Sequence, residues 1–464
     1  MTEKEALPGR DPSNLSKLDD PKKIWSWVLY DWGNSAFATT VMAGFFPTFL
    51  NAFWVGESTA IDATVILGFG NSISAILVAA MSPFLGAVAD KMSGKKRFLL
   101  FFAALGILTT GCLWLVQAGN WLTAILLYVL GTIGFSGGNS FYDSLLPGVA
   151  SQKKIDYVSS LGFAIGYIGG GVLFALNVIM YLMWDTFGFA NESAAVSFAF
   201  LSVAIWWAGF SIPVFLFVDE PKIDKEATFR KSIKLGWKQL KGTFAEIRYL
   251  KIVGLFLIGY WFYIDGVDTI IKMAVDYAES LGFDSTWSIV ALLVTQFVAF
   301  PMTLLYNKFA KKIGVKKGIL VAIVGYGCIT IAGYFMGNEI HFLILAVCIG
   351  CFQGGIQALS RSLYSRIIPV EKSGEFYGFY NMLGKFAAIL GPALMGLVAI
   401  FNPDPRASIL PLLILFLIGG IILYKVDLEE GERMAKEYLS KNPLDDQDEN
   451  ATDNNLENQE NLDD

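Results

Sequence analysis

Three ionisable side chains, Asp265, Asp268 and Lys272, stand at spacings of three and four inside one apolar stretch, just after Tyr263. On a helix they share one side. Charge facing hydrocarbon is costly, so this side must look into the protein or a wet cavity. The chemistry open to it is binding. A zwitterion needs a cation for its carboxylate and an acid or carbonyls for its amine. Lys272, or Lys385 further along, suits the first need; Asp265 or Asp268 suits the second. A buried carboxylate could also carry a proton. The plainer reading is a self-neutralised structural triad, with acid before base in the order a helix favours.

A second stretch places Asp31, Asn34, Ser35 and Ala38 on one face. Asp31 lies roughly 9 Å inside the apolar boundary at about 1.5 Å per residue. It serves function or a structural ion pair. Aligning Asp31 on Asp265 sets Asn34 on Asp268. A third stretch carries Asn139, Tyr142 and Asp143, and a fourth carries Gln353, Gln357 and Arg361 at four-residue spacing. Asp143 and Arg361 are 218 residues apart. We expect Asp143 or Asp31 to pair with Arg361 near one mouth of the protein; the alternative has Arg361 snorkelling to the interface. Lys385, with Asn381 and Gly384, sits mid-stretch before Gly391-Pro392, and Gln296 stands five residues before Pro301.

Other chemistries are excluded or weak. The one histidine is His341, which leaves no His network for catalysis or metal binding. No phosphate loop of the Gly-x-x-x-x-Gly-Lys-Ser/Thr type occurs. The four cysteines lie in apolar stretches and read as small buried residues. No cofactor, no metal and no enzymatic activity are expected.

The elements that must hold these residues follow from composition. The chain has 464 residues, 54% hydrophobic and 16% charged. A soluble fold cannot hide that much apolar surface. A spanning helix needs roughly 20 mostly apolar residues. Spans are predicted near 25–55, 64–89, 98–118, 121–147, 158–184 and 194–218, then near 252–277, 286–307, 318–337, 340–368, 374–400 and 407–425. The fold class is an all-α membrane protein of twelve transmembrane helices in two six-helix, pseudo-symmetric bundles. The domain layout is a 1–24 tail, a 25–218 bundle, a 219–251 basic linker, a 252–426 bundle and a 427–464 acidic tail, expected to be disordered. Alternate connections and the two tails hold 32 of the 35 Lys and Arg residues; the opposite loops hold only Arg406 and nine acids. Positive charge stays inside, so both termini are expected in the cytoplasm. The linker's Phe229, Ile233, Trp237, Leu240 and Phe244 recur at three and four among basic residues, which fits a helix on an anionic leaflet or a solvated linker helix.

The loop after the second span reads Gly86, Asp90, Lys91, Gly94, Lys95, Lys96, Arg97. Gly86 permits close helix approach. Asp90 can sit at the positive N-terminus of a neighbouring helix or pair with a cation. The loop resembles the signature loop of the major facilitator superfamily, with one extra residue before Gly94, and the resemblance implies a cytoplasmic gate between two halves. A degenerate copy starts at Asn307, 221 residues later, with Lys311 where Asp90 would fall. The fifth span carries Gly162, Gly166 and Gly170 at four-residue spacing. It partly resembles the superfamily's antiporter motif, with Tyr167 in place of the proline; tight helix packing is the simpler account.

The strings YDWGNSAFATTVMAGFFPTF from Tyr30, NSFYDSLLP from Asn139, YIDGVDTI from Tyr263 and QGGIQALSRSLYSRIIP from Gln353 resemble the autophagy-related vacuolar amino-acid effluxer family and its bacterial relatives. The resemblance implies a major facilitator fold, spans 1, 4, 7 and 10 around a central site, and alternating-access export of amino acids or similar metabolites. The expected partners are a small molecule, with a zwitterion among the candidates, protons and the lipid bilayer. Nucleic acid is not expected. Both bundles lie in one chain, which favours a monomer, and the compact loops favour a bacterial inner membrane over a vacuole. Alternatives are a transporter of drugs, nucleosides or sugars, or a non-transporting receptor or scaffold.

Overall fold

The computed structural model describes residues 18–55, 63–92, 94–220, 250–402 and 404–441. The regular secondary structure of its described residues is helical, with twelve helices long and apolar enough to cross a membrane. The first, α1, runs Pro21–Val55. The others are α2 Ala63–Met92, α3 Lys95–Cys112, α4 Trp121–Val149, α5 Ile155–Leu182 and α6 Glu192–Phe217. The second half has α7 Lys251–Ser280, α8 Ser285–Ile313, α9 Val315–Tyr334, α10 Glu339–Ile367, α11 Ser373–Phe401 and α12 Leu412–Lys425.

Local chemistry sets several ends. Asp20, Asn191, Asp284 and Asn338 accept backbone N–H bonds at the starts of α1, α6, α8 and α10. The turn from α8 to α9 is made at Gly314, whose φ of 94° suits glycine. Not all of α1 is α-helical. After Ala36 it widens into π-helix over Phe37–Phe45 and again over Leu50–Val55. Such widening is rare and is frequent at functional sites.

Each half buries its own apolar core. The first half has two clusters, one around Trp54 and Phe200, the other around Trp27 and Leu146. The second half has one, from Leu250 to Val426. The halves meet through α2 on α11, α5 on α8 and α10, and α4 on α11.

Three expectations change. The four cysteines are not buried: Cys112 and Cys328 are exposed on their helices, and Cys348 and Cys351 are partly exposed. Residues 308–313 are not loop but the last turns of α8, where Lys311 and Lys312 suit the helix's negative end. The acidic tail does not begin disordered. Residues Leu428–Lys441 form a helix, α13. Gly431 lies against Ile252 and Ile367, and Ala435 is buried. The residues beyond Lys441 and the linker over 221–249 lie outside the described residues.

Candidate functional site

The polar residues of the spans fall into tiers, counted inward from the end that carries the basic connections. At the rim, Asp90 closes α2 against α11. Its two oxygens accept from the backbone N–H groups of Gly374 (3.0 Å) and Glu375 (2.8 Å). Lys95 Nζ stands 2.9 Å from Asp90 and donates to Ser373 Oγ at 2.8 Å. Both roles foreseen for Asp90, helix N-terminus and cation, therefore coexist. Gly86 packs on Gly374, where a Cβ would fall on the Gly374 carbonyl. Lys96 Nζ donates to the carbonyls of Phe215 and Val218 at the end of α6. Lys316, 220 residues later, does the same for Val426 after α12, so the two halves repeat this wiring. Glu220 accepts from the Lys95 and Lys96 amides, and burial pushes its carboxyl above the usual range. Gly94 is the residue before α3, Arg97 is exposed, and the Lys91 side chain is outside the described residues. A second rim contact joins Arg366 of α10 to Asp156 of α5 at 2.7 Å, with Glu432 of α13 3.7 Å away.

Asp90→Asn keeps the shape but not the charge that Lys95 and the α11 N-terminus face. We expect the shut form to lose about threefold to thirtyfold in population. Alkylation of a cysteine placed at Ser144, buried behind Ser373 at this end, measures it.

One step deeper lies Arg361, six residues from the end of α10. It does not snorkel: it is 2% exposed. Its Nη1 donates to Asp143 Oδ1 at 2.9 Å and stands 3.8 Å from Asp31 Oδ2. Nε donates to Ser159 Oγ (3.0 Å) and Nη2 to the Ser159 carbonyl (2.9 Å). Ser159 in turn donates to the Ala358 carbonyl. The guanidinium is stacked among Phe163 (4.1 Å), Trp27 (4.9 Å) and Tyr142 (5.7 Å). Tyr142 donates to Asp31 at 3.0 Å. One turn along, Asn34 donates to Asn139 at 2.6 Å. A cation of the second half is thus held by two acids and a serine of the first. Gly162 makes room for it: a Cβ there would stand 3.0 Å from Asp31 Oδ2 and 3.1 Å from Arg361 Nη2.

The third tier is uncharged. Tyr167 of α5 donates its hydroxyl to Gln357 Oε1 of α10. Gln353, one turn further along, is buried with its Oε1 unpartnered. Tyr263 bonds Ser360 and is buried in the second half.

The fourth tier holds the remaining charges. Asp268 and Lys272 are 3.8 Å apart, with side chains 25% and 49% exposed. Lys385 of α11 is half-buried and within electrostatic reach of both. This side of α7 is the partly exposed one. Gln296 packs on Gly171 at the α5–α8 contact; Asn381 belongs to the Arg361 tier, where it donates to the Tyr377 carbonyl and its side chain lies beside Asp143.

Asp265 does not join Asp268 on the half-exposed side. It is fully buried between α7 and α11, accepting from the Gly391 N–H (3.0 Å) and Thr269 (3.3 Å). Pro392 cannot donate and interrupts the α11 ladder, and Asp265 binds the backbone beside that break. Sequence reasoning missed Ser159, Trp27, Phe163 and the Asp156–Arg366 pair. Among the described residues, no group of three His, Cys, Asp or Glu is placed to hold a metal ion.

The model of the vacuole effluxer Atg22-like family matches residues 19–436. The uncharacterized MFS-type transporter YxiO of Bacillus subtilis is 39% identical over 402 residues, covering 86% of this chain and 93% of its own. Autophagy-related protein 22 of Kluyveromyces lactis is 24% identical over 415 residues, 81% of this chain and 82% of its own. Among solved structures, the major facilitator proton:xylose symporter XylE superposes with a TM-score of 0.67 at 16% identity, covering 90% of this chain and 97% of its own.

Proposed function

From a chain that belongs to the vacuole effluxer Atg22-like family, and is a multi-pass membrane transporter of the major facilitator type, we propose export of amino acids or similar small metabolites by alternating access. The observation that carries this reading is the tier of Asp268, Lys272 and Lys385: partly exposed charges of both signs, set deeper in the spans than a buried lock. Asp268 takes the solute's amine and the lysines its carboxylate. The basic end is the cytoplasmic one, by its load of Lys and Arg. At that end Asp90, Arg361 and Arg366 tie the two halves together, and the solute enters from the other. Asp31 and Asp143 hold the lock and do not touch the solute. A proton is the co-substrate, the chain works as a monomer, and its site is a bacterial inner membrane.

Counterflow in proteoliposomes against zwitterionic, cationic and anionic labelled amino acids, with and without a pH gradient, tests this. We expect a zwitterion to accumulate above the control. Lys385→Met should raise its KM about tenfold to a hundredfold, the weight of a lost charge-assisted hydrogen bond. Accumulation of none would remove the amino-acid assignment. Two lysines against one acid leave a surplus positive charge, which favours a second reading, an anionic solute; the anionic probes then accumulate instead.

A further inference from the structure

The uncharged third tier lies between the charges assigned to the solute and the lock that must open when solute moves. Tyr167 is its one described link across the halves, donating from α5 to Gln357 on α10, one turn from Arg361. It is 9% exposed and within electrostatic reach of Asp31, Arg361 and Asp268 together. Beside it Gln353 keeps a buried acceptor with no donor. A buried acceptor without a partner carries a desolvation cost that a bound donor would relieve.

We propose that Tyr167 is a positioning residue that carries occupancy of the crevice to the Arg361 lock. An ammonium or hydroxyl group of the solute donates to Gln353 and Gln357 and displaces the Tyr167 hydroxyl. One cross-half hydrogen bond is then lost and the basic end opens more readily. The solute acts because it bonds Gln357 only when Tyr167 has let go, which is the differential contact a population shift requires. This rests on the crevice being the solute site, but the bond between halves exists without solute, so the two claims separate.

The test is the full chain with its four cysteines replaced and spin labels at Gln152 and Lys312, both exposed at the basic end. Without solute, Tyr167→Phe should raise the population with long label separation about threefold to tenfold, the weight of one buried hydrogen bond. Gln357→Met should do the same, and the double variant should add nothing further. With a zwitterionic amino acid that counterflow has identified, wild type should shift toward long separation. Tyr167→Phe should bind it about threefold to tenfold more tightly, because no tyrosine hydroxyl has to be displaced, yet shift no further. An unchanged ligand-free distribution in Tyr167→Phe overturns the proposal. So does additivity in the double variant. Absence of a shift with every probe in wild type, alongside the ligand-free effect, overturns the solute reading and leaves the cross-half bond standing.

Discussion

Arg361→Ala should abolish transport and lower stability by about 3–5 kcal/mol, because it leaves two acids buried without their cation. Asp31 is 8% exposed and Asp143 7%, so neither can recover its hydration by turning outward. Arg361→Lys should fail nearly as badly. An ammonium cannot reach Asp143, the Ser159 hydroxyl and the Ser159 carbonyl in one planar fork, nor lie flat against Phe163. The exchange Asp143→Arg with Arg361→Asp restores opposite charges at 2.9 Å in reversed order. Because it also loses the Ser159 fork and the Phe163 stack, we expect it to regain only a trace of counterflow, where each single variant has none. Folded but inactive protein in all three would place Arg361 on the solute and not in the lock. Size-exclusion profiles with counterflow rates distinguish these outcomes.

Gly86→Val should leave the protein folded and unable to shut its basic end. The added Cβ meets the Gly374 carbonyl and stands 2.9 Å from the Glu375 Cα. Backbone atoms at a helix start cannot step aside as a flexible side chain would. Holding α2 from α11 also breaks the two N–H bonds to Asp90, each a charge-assisted bond of about 1.5–3 kcal/mol. The shut form should therefore fall at least a hundredfold, with transport falling in step. A cysteine at Ser144 should become reactive toward an impermeant maleimide applied from the basic side. If it stays protected, the packing of α2 on α11 is not what seals this end.

The spans could be read because the cost of burying backbone and charge in hydrocarbon acts on every residue at once, so composition alone marks them. Asp90 and the Asp143–Arg361 pair were legible for a related reason. Isolated charges in apolar surroundings must find partners, and a duplicated chain suggests where. What surrounds Arg361 was not legible. Trp27, Phe163 and Ser159 become its neighbours only through the rotation of α1 and α5, and nothing in an apolar helix encodes that rotation locally. Asp265 was placed with Asp268 by spacing, yet three residues leave them some way apart around the helix. That angle separates a seam between α7 and α11 from the crevice. Helix α13 was hidden by its acidic composition, although Leu428, Gly431 and Ala435 recur at three and four and pack on the bundle.

That short helix changes what the far end of the chain can report. Its packing ties it to α7 and α10, so it is cargo of the second bundle, and its Lys436 is exposed. A fluorophore attached there would swing as that bundle rocks, and a dye on the opposite bundle would watch it pass. The turnover of single molecules could be followed from outside the helical body, without touching a residue that faces the solute.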